Sequence, residues 1–245
     1  MEWRDEGVVT GVRRHGERSV IIEALTREHG RHLGIVRDGR SARLAAAIQP
    51  GNTLGLVWRA RLDEHLGVFA IEPLTLRAAR VMNSALALAG IGYLGALVRL
   101  LPERDPHESV YNSLSLLVEL LDDPLLAPLS VVRFEAQILA ECGYRLDLTR
   151  CAATGARENL AYVSPKSGRA VSAEAGAPWR DRLLPLPVFL REDANLAERP
   201  NAEDLADGFR TTGFFLARDL FAAKGGHLPE SRRVFLTAAA CAKTR

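Results

Sequence analysis

Between Gly7 and Glu72, short runs of Val, Ile and Leu recur at roughly ten-residue intervals, and each junction carries turn residues and arginine. That rhythm leaves no room for long helices and suits a small antiparallel barrel. The predicted strands are Gly7–Arg13, Ser19–Leu25, Arg31–Arg37, Thr53–Leu62 and Leu66–Ile71, with turns at RRHGER, at Glu28-His29-Gly30 and at Gln49-Pro50-Gly51-Asn52. The segment from Asp38 to Ile48 carries Gly39, Arg40 and Arg43 before an alanine run, and reads as a mobile basic loop feeding a short helix. Side chains alternate along a strand, so Arg31, Leu33, Ile35 and Arg37 share one face of the third strand, with the arginines capping an apolar row. In the fourth strand Leu54, Leu56, Trp58, Ala60 and Leu62 make the core side, opposite Val57, Arg59 and Arg61. Five strands with a helix between the third and fourth is the order of an OB-fold, whose open face and loops commonly hold oligonucleotides.

Fold order alone does not give a function, so the charge placement must carry the argument. The net charge is only +2, yet lysines account for just three of the 32 basic residues; the cations are arginines, whose permanently charged planar forks hold phosphate oxygens in pairs. Over residues 1–61 there are 11 arginines against 7 acids, gathered at turns and strand ends. Candidate DNA-binding residues are Arg13, Arg14, Arg18, Arg27, Arg31, Arg37, Arg40, Arg43, Arg59 and Arg61. The bland alternative is a solvated surface with scattered ion pairs; phosphate binding is the stronger reading for the denser stretch from Arg27 to Arg43. Only Trp3, Trp58 and Phe69 could stack on bases in this region, and Trp58, lying in the apolar row, reads as core. Backbone neutralisation with weak sequence preference and strong salt sensitivity is the expected binding mode.

The runs GVRRHGERS, LTREHGR, VRDGRS and AIQPGN, followed by FEAQILAECGY, PWRDRLLPLPVFL and LPESRRVFL, resemble in order and spacing the RecO family of DNA repair proteins, particularly its proteobacterial members. The likeness covers nearly the whole chain. It implies a non-enzymatic recombination mediator that binds single- and double-stranded DNA, promotes strand annealing and works with RecR to help RecA replace SSB on single strands. It also implies that the helical region receives the acidic C-terminal tail of SSB, for which Arg133 and Arg145 are the candidate edges of an apolar notch. Many relatives carry a small finger in which two cysteine pairs hold zinc. Here Cys151 stands without its partners, since Thr154, Ser172 and Ala175 occupy the corresponding region; one thiolate cannot build a tetrahedral site. A metal-free hairpin turning at Ser164-Pro165-Lys166-Ser167-Gly168 is therefore expected, with no cofactor.

The remainder reads as helical, which makes the fold class α+β and multidomain: an OB-fold domain over residues 1–76 and an α-helical domain over 77–245, the latter including a finger-like hairpin at 147–177. A helix from Arg80 to Leu101 contains Gly90, Gly92 and Gly95, which imply close packing of a neighbour. Asp105-Pro106 and Asp123-Pro124 look like caps opening helices that reach Leu121 and Glu141. His107 reads as a surface or capping side chain, and Cys142 and Cys241 as small buried hydrophobes. Glu203 to Lys224 forms a helix whose phenylalanines read as core, and Pro229 starts a last helix carrying Arg232 and Arg233.

Enzymatic chemistry finds no foothold in the sequence. There is no GxxxxGK(S/T) loop, no HExxH and no GxSxG elbow, and His29 and His32 flank Gly30 in a basic turn that suits a phosphate contact better than a metal. The charged N-terminus, the glycine- and arginine-broken stretch from Ala85 to Leu101 and an odd cysteine count fit a reducing cytoplasm without a membrane partner. The alternative from another class is a protein-interaction scaffold whose basic barrel contacts an acidic protein.

Overall fold

The computed structural model describes residues 1–191 and 200–242. Its contacts divide the chain into two units, residues 1–127 with 229–245, and residues 128–228.

The first unit begins with five strands: β1 (Glu2–His15), β2 (Ser19–Thr26), β3 (Arg31–Val36), β4 (Thr53–Arg59) and β5 (Val68–Thr75). They close into a barrel in the order β1-β2-β3-β5-β4, with a short helix α1 (Ala42–Ala45) between β3 and β4, which is the OB-fold arrangement. β1 pairs with β4 along its first half and with β2 along its second, and a register shift between Val9 and Gly11 bends it between the two. Val9, Val20, Ile22, Ala24, Val36, Leu54, Leu56, Trp58 and Phe69 fill the interior, and Ala47 and Ile48 after α1 plug one end. Trp58 is fully buried, as its place in the apolar row predicts, and its indole N–H donates to the Leu66 carbonyl at 3.1 Å.

Two strand readings are corrected. In β3 the inward residues are His32, Gly34 and Val36, while Arg31, Leu33 and Ile35 are half-buried on the outer face. The pairing with β2 decides this: Val20, Ile22 and Ala24 face the core, and their partners Val36, Gly34 and His32 must face it too. β4 ends at Arg59, not Leu62, because its partner β1 begins at Glu2; after a last bond from the Ala60 amide to the Met1 carbonyl there is no strand left to pair with, and Arg61 and Leu62 lie exposed in the β4–β5 connection.

Three helices follow: α2 (Ala78–Met82), α3 (Ala85–Val98) and α4 (Glu108–Leu120). The single predicted helix from Arg80 is thus two, broken at Asn83-Ser84, where the Ser84 hydroxyl caps α3 by accepting from the Ala87 amide. Gly90 and Gly95 do meet close neighbours, since a Cβ on them would lie 2.6 Å from Leu121 and from the Thr10 carbonyl, whereas Gly92 faces open space. His107, not Asp105, is the N-cap residue of α4, which fits the capping half of its reading, and it is half-buried rather than on the surface.

The second unit takes most of α5 (Leu126–Glu141), whose start is capped by Asp123 as expected. A three-stranded sheet in the order β7-β6-β8 follows, from β6 (Leu160–Val163), β7 (Ala170–Ser172) and β8 (Leu184–Pro185), with α6 (Ala173–Gly176) and a 3-10 turn at Ala177–Arg182 between the last two. The β6–β7 hairpin turns where the sequence places it, closed by the Gly168 amide on the Ser164 carbonyl at 2.9 Å. α7 (Ala202–Phe215) continues through a π-turn at Leu216–Phe221. It packs on α5 through Gly208 against Val132 and through the buried Glu135 carboxylate, which accepts from Thr212. Phe209, Phe215, Leu216 and Leu220 are core, as the stripe predicts, whereas Phe214 is exposed and Phe221 half-buried. Cys241, on α8 (Glu230–Ala242) of the first unit, is exposed and Cys142 is half-buried, so neither is the fully buried hydrophobe expected.

Candidate nucleic-acid interface

The β1–β2 turn and the β3–α1 loop come from the same end of the barrel, because His15 pairs with Ser19 and Val36 with Val20. Gly16 adopts φ +61 to turn the first, and Asp38 adopts φ +50 in the second. Gly39 lets the second lie flat, since a Cβ there would sit 2.6 Å from the Val20 side chain and 3.2 Å from the Val36 carbonyl. Two bonds then join them: the Arg40 amide donates to the Arg18 carbonyl at 3.1 Å and the Arg40 guanidinium to the Glu17 carbonyl at 2.6 Å.

Six of the ten candidate arginines lie on the segments that meet here: Arg13 and Arg14 at the end of β1 with Arg18 after the turn, and Arg37 and Arg40 in the loop with Arg43 on α1. All six are exposed, and none forms an ion pair among the described residues. Against them the two segments hold only Glu17 and Asp38, a surplus of four positive charges; of the six, Arg18 and Arg40 line a cleft of about 480 Å³ together with Glu17, Asp38 and Ser41, while Arg13 lines a separate hollow beside Arg31 and Arg99. Exposed guanidiniums without a carboxylate partner are free to pair with phosphate oxygens.

The other four candidates lie elsewhere. Arg27 bridges Glu6 at 3.3 Å and Glu108 at 3.2 Å, and Arg59 forms a two-pronged pair with Glu2 at 2.9 and 3.1 Å. Arg31 is only 12% exposed, held by Glu23 at 2.8 Å and Glu103 at 3.3 Å. Arg61 follows β4 at the end of the barrel opposite the β1–β2 turn, as the pairing of Glu2 with Arg59 requires.

That opposite end is aromatic. Trp3 stacks on His29 with centroids 4.1 Å apart and on Trp58 at 5.7 Å, while Phe69 meets Trp3 edge-on at 5.9 Å. Asp5 fixes the stack by accepting from the His29 ring at 2.9 Å and from the Glu28 and His29 amides. His32 sits among Trp3, Trp58 and Phe69 with neither ring nitrogen hydrogen-bonded, and burial, aided by Arg104 and His29, pushes its pKa down to about 4. His29 and His32 are therefore not phosphate contacts of the cationic end, and the three candidate stacking rings are occupied by one another.

The sequence reading missed Glu23. Its carboxylate lies on the outer face of β2 and takes Arg31 on one oxygen and Arg99, the C-cap residue of α3, on the other, each at 2.8 Å, tying the barrel to the end of that helix. A charged residue set among Ile21, Ile22, Ala24 and Leu25 was the available signal.

In the second unit Arg133 is half-buried and donates to the Phe189 carbonyl at 3.3 Å, and burial lowers its pKa. Arg145 is exposed beyond the end of α5. At the finger, the Cys151 sulfur accepts from the Ser172 amide at 3.3 Å. Burial would raise this thiol's pKa, but the hydrogen bonds from Ser172 and Thr154 outweigh it and bring it down to about 6. The three finger positions converge as they would around an ion, but a thiol, a threonine hydroxyl and a serine do not make the donor set zinc takes. No group of three or more His, Cys, Asp or Glu among the described residues could hold a metal.

Barrel and cationic end together define a protein of the OB-fold class carrying a basic loop junction, followed by a helical region. The family model for the recombination protein O N terminal matches residues 1–76, and that for the recombination protein O C terminal matches residues 82–227. Among curated proteins, the DNA repair protein RecO of Methylocella silvestris is 61% identical over 96% of this chain and 95% of its own length. Those of Chelativorans sp. and Mesorhizobium japonicum are 57% and 54% identical, each over 97% of this chain, covering 95% and 93% of the relatives. The chain belongs to the RecO family of DNA repair proteins. No helix among the described residues is long and apolar enough to cross a membrane.

Proposed function

We propose that this protein is a non-enzymatic recombination mediator that holds DNA by its phosphates at the junction of the β1–β2 turn and the β3–α1 loop. The carrying observation is that the Arg40 bonds to Arg18 and Glu17 unite two arginine-bearing loops whose guanidiniums have no carboxylate partners among the described residues. Cations that grip the backbone leave base edges free and cancel the repulsion between two strands, which is what annealing needs. Single and double strands both present such a backbone. Family membership supports the rest of the reading: action with RecR, RecA loading on SSB-coated strands, and capture of the SSB tail by the helical region, in the cytoplasm at the nucleoid. The three ion-paired arginines, Arg27, Arg31 and Arg59, are structural in this reading.

The test is a salt titration of affinity. Six engaged phosphates give a slope of log K against log salt of about −5 on duplex DNA, and replacing Arg37, Arg40 and Arg43 by Ala makes it about 3 units shallower. The same triple variant should anneal complementary strands poorly, with or without SSB. An unchanged slope in that variant would refute the assignment, and weak DNA binding with tight capture of an acidic protein would favour the scaffold alternative.

A further inference from the structure

The cationic end of the barrel has charge without open aromatic rings. Between Trp3 and Trp58 the sequence contains no Phe, Tyr or Trp, and Trp3 and Trp58 are locked into the stack at the other end. The second unit holds the complementary feature. Trp179 is 57% exposed, whereas the other two tryptophans are half-buried and buried. It rides on the 3-10 turn Ala177–Arg182, no residue of which is buried.

The turn is firmly mounted. At its start Gly176 packs so closely on Tyr162 that a Cβ there would lie 2.4 Å from the ring. At its end Leu184 pairs with Val163, and the Leu186 amide bonds to the Ala161 carbonyl at 2.9 Å. Pro178 stiffens the approach, since its ring fixes φ. The arginines on either side of Asp181 are exposed; Arg180 makes a solvent-exposed pair with the Asp181 carboxylate at 3.7 Å, which a phosphate can displace, and the Arg182 guanidinium lies over the indole, 5.8 Å from its centroid. A large indole held out in water on a rigid mount, with one face under a guanidinium and a second cation beside it, serves no core. It matches an unpaired base with its phosphates: the flat ring stacks, the arginines hold the backbone.

We infer that Trp179, with Arg180 and Arg182, is a second nucleic-acid contact that stacks an unpaired base and so selects single strands. This rests on the DNA-binding reading above and adds to it the strand preference that the barrel arginines alone do not supply. Duplex bases are already stacked and offer no free face, so the site is blind to them.

The experiment measures binding of a fluorescent oligothymidylate and of a blunt duplex to the full-length wild-type protein and to the Trp179→Ala and Trp179→Phe variants. Tryptophan quenching is recorded alongside. Expected is a loss of about 5- to 150-fold in oligothymidylate affinity for Trp179→Ala, near-retention for Trp179→Phe, and duplex affinity unchanged within about twofold. The wild-type indole signal should be quenched by the oligonucleotide, and that quenching should vanish in both variants. Because the side chain is exposed, the variants should melt with the wild type, and a lowered melting temperature together with loss of both ligands would mean a structural role and overturn the inference. Equal oligothymidylate affinity in wild type and Trp179→Ala overturns it while leaving the barrel site standing; failure of the wild-type protein to bind either DNA overturns both.

Discussion

His32 should make this protein acid-labile, by an amount that can be worked out. The imidazole is 2% exposed, ringed by Trp3, Trp58 and Phe69, and its pKa is about 4 in the fold against 6.5 for the free side chain. At pH 7.5 both states hold it neutral and nothing is lost. As the pH drops through 6.5 the unfolded chain takes a proton that the folded chain refuses, so stability falls with falling pH. At pH 5 the unfolded ring is almost fully charged and the folded ring about one-tenth so, a loss of about 2 kcal/mol, rising toward about 3 kcal/mol below pH 4. Other groups titrate in the same window, so the informative quantity is a difference. Urea unfolding of the wild type and of His32→Leu at pH 7.5 and pH 5 should show the wild type losing about 2 kcal/mol more than the variant. Parallel losses in the two proteins would mean that the ring is not held neutral by its surroundings, and the reasoning from burial would fail.

Gly39→Ala should destabilise the protein by about 1–3 kcal/mol in urea and weaken DNA binding, because the added methyl meets Val20 and the Val36 carbonyl and lifts the loop off the barrel. An unchanged midpoint would contradict the close approach. The Cys151 thiol should ionise near pH 6, seen as thiolate ultraviolet absorbance that disappears in Cys151→Ser; a titration centred near 9 would mean that the Ser172 and Thr154 bonds do not hold in solution.

Strand number, the helix between β3 and β4, and Trp58 as core were legible because each is written in local periodicity and turn chemistry. The inward face of β3 was not, because Leu33 and Ile35 look like core residues, and only pairing with Val20, Ile22 and Ala24 shows that His32 is inside instead. The break at Asn83-Ser84 was hidden inside an apolar run, though a serine cap before Ala85 could have shown it. For the interface, the sequence supplied arginines at turns but not their partners. Whether a guanidinium is free depends on acids distant in the chain, such as Glu108 for Arg27 or Glu103 for Arg31. Trp179 falls at the start of the Pro-interrupted apolar stretch from Pro178 to Leu190, whose composition suits packing against the helices, so its exposure is a tertiary fact.

The helix α8 has a consequence for biosynthesis. Its Phe235 stacks beside Tyr93 of α3 with centroids 6.2 Å apart and stands close to Gly90, so the interior of the first unit is completed by residues made after the whole of 128–228. On the ribosome the barrel can close early, but the helices behind it must wait with an open seam while about a hundred residues are added. A chain cut before Pro229 should therefore lose cooperativity in its N-terminal part, far from the cut in sequence, and depend on chaperones that the full-length chain needs only in passing.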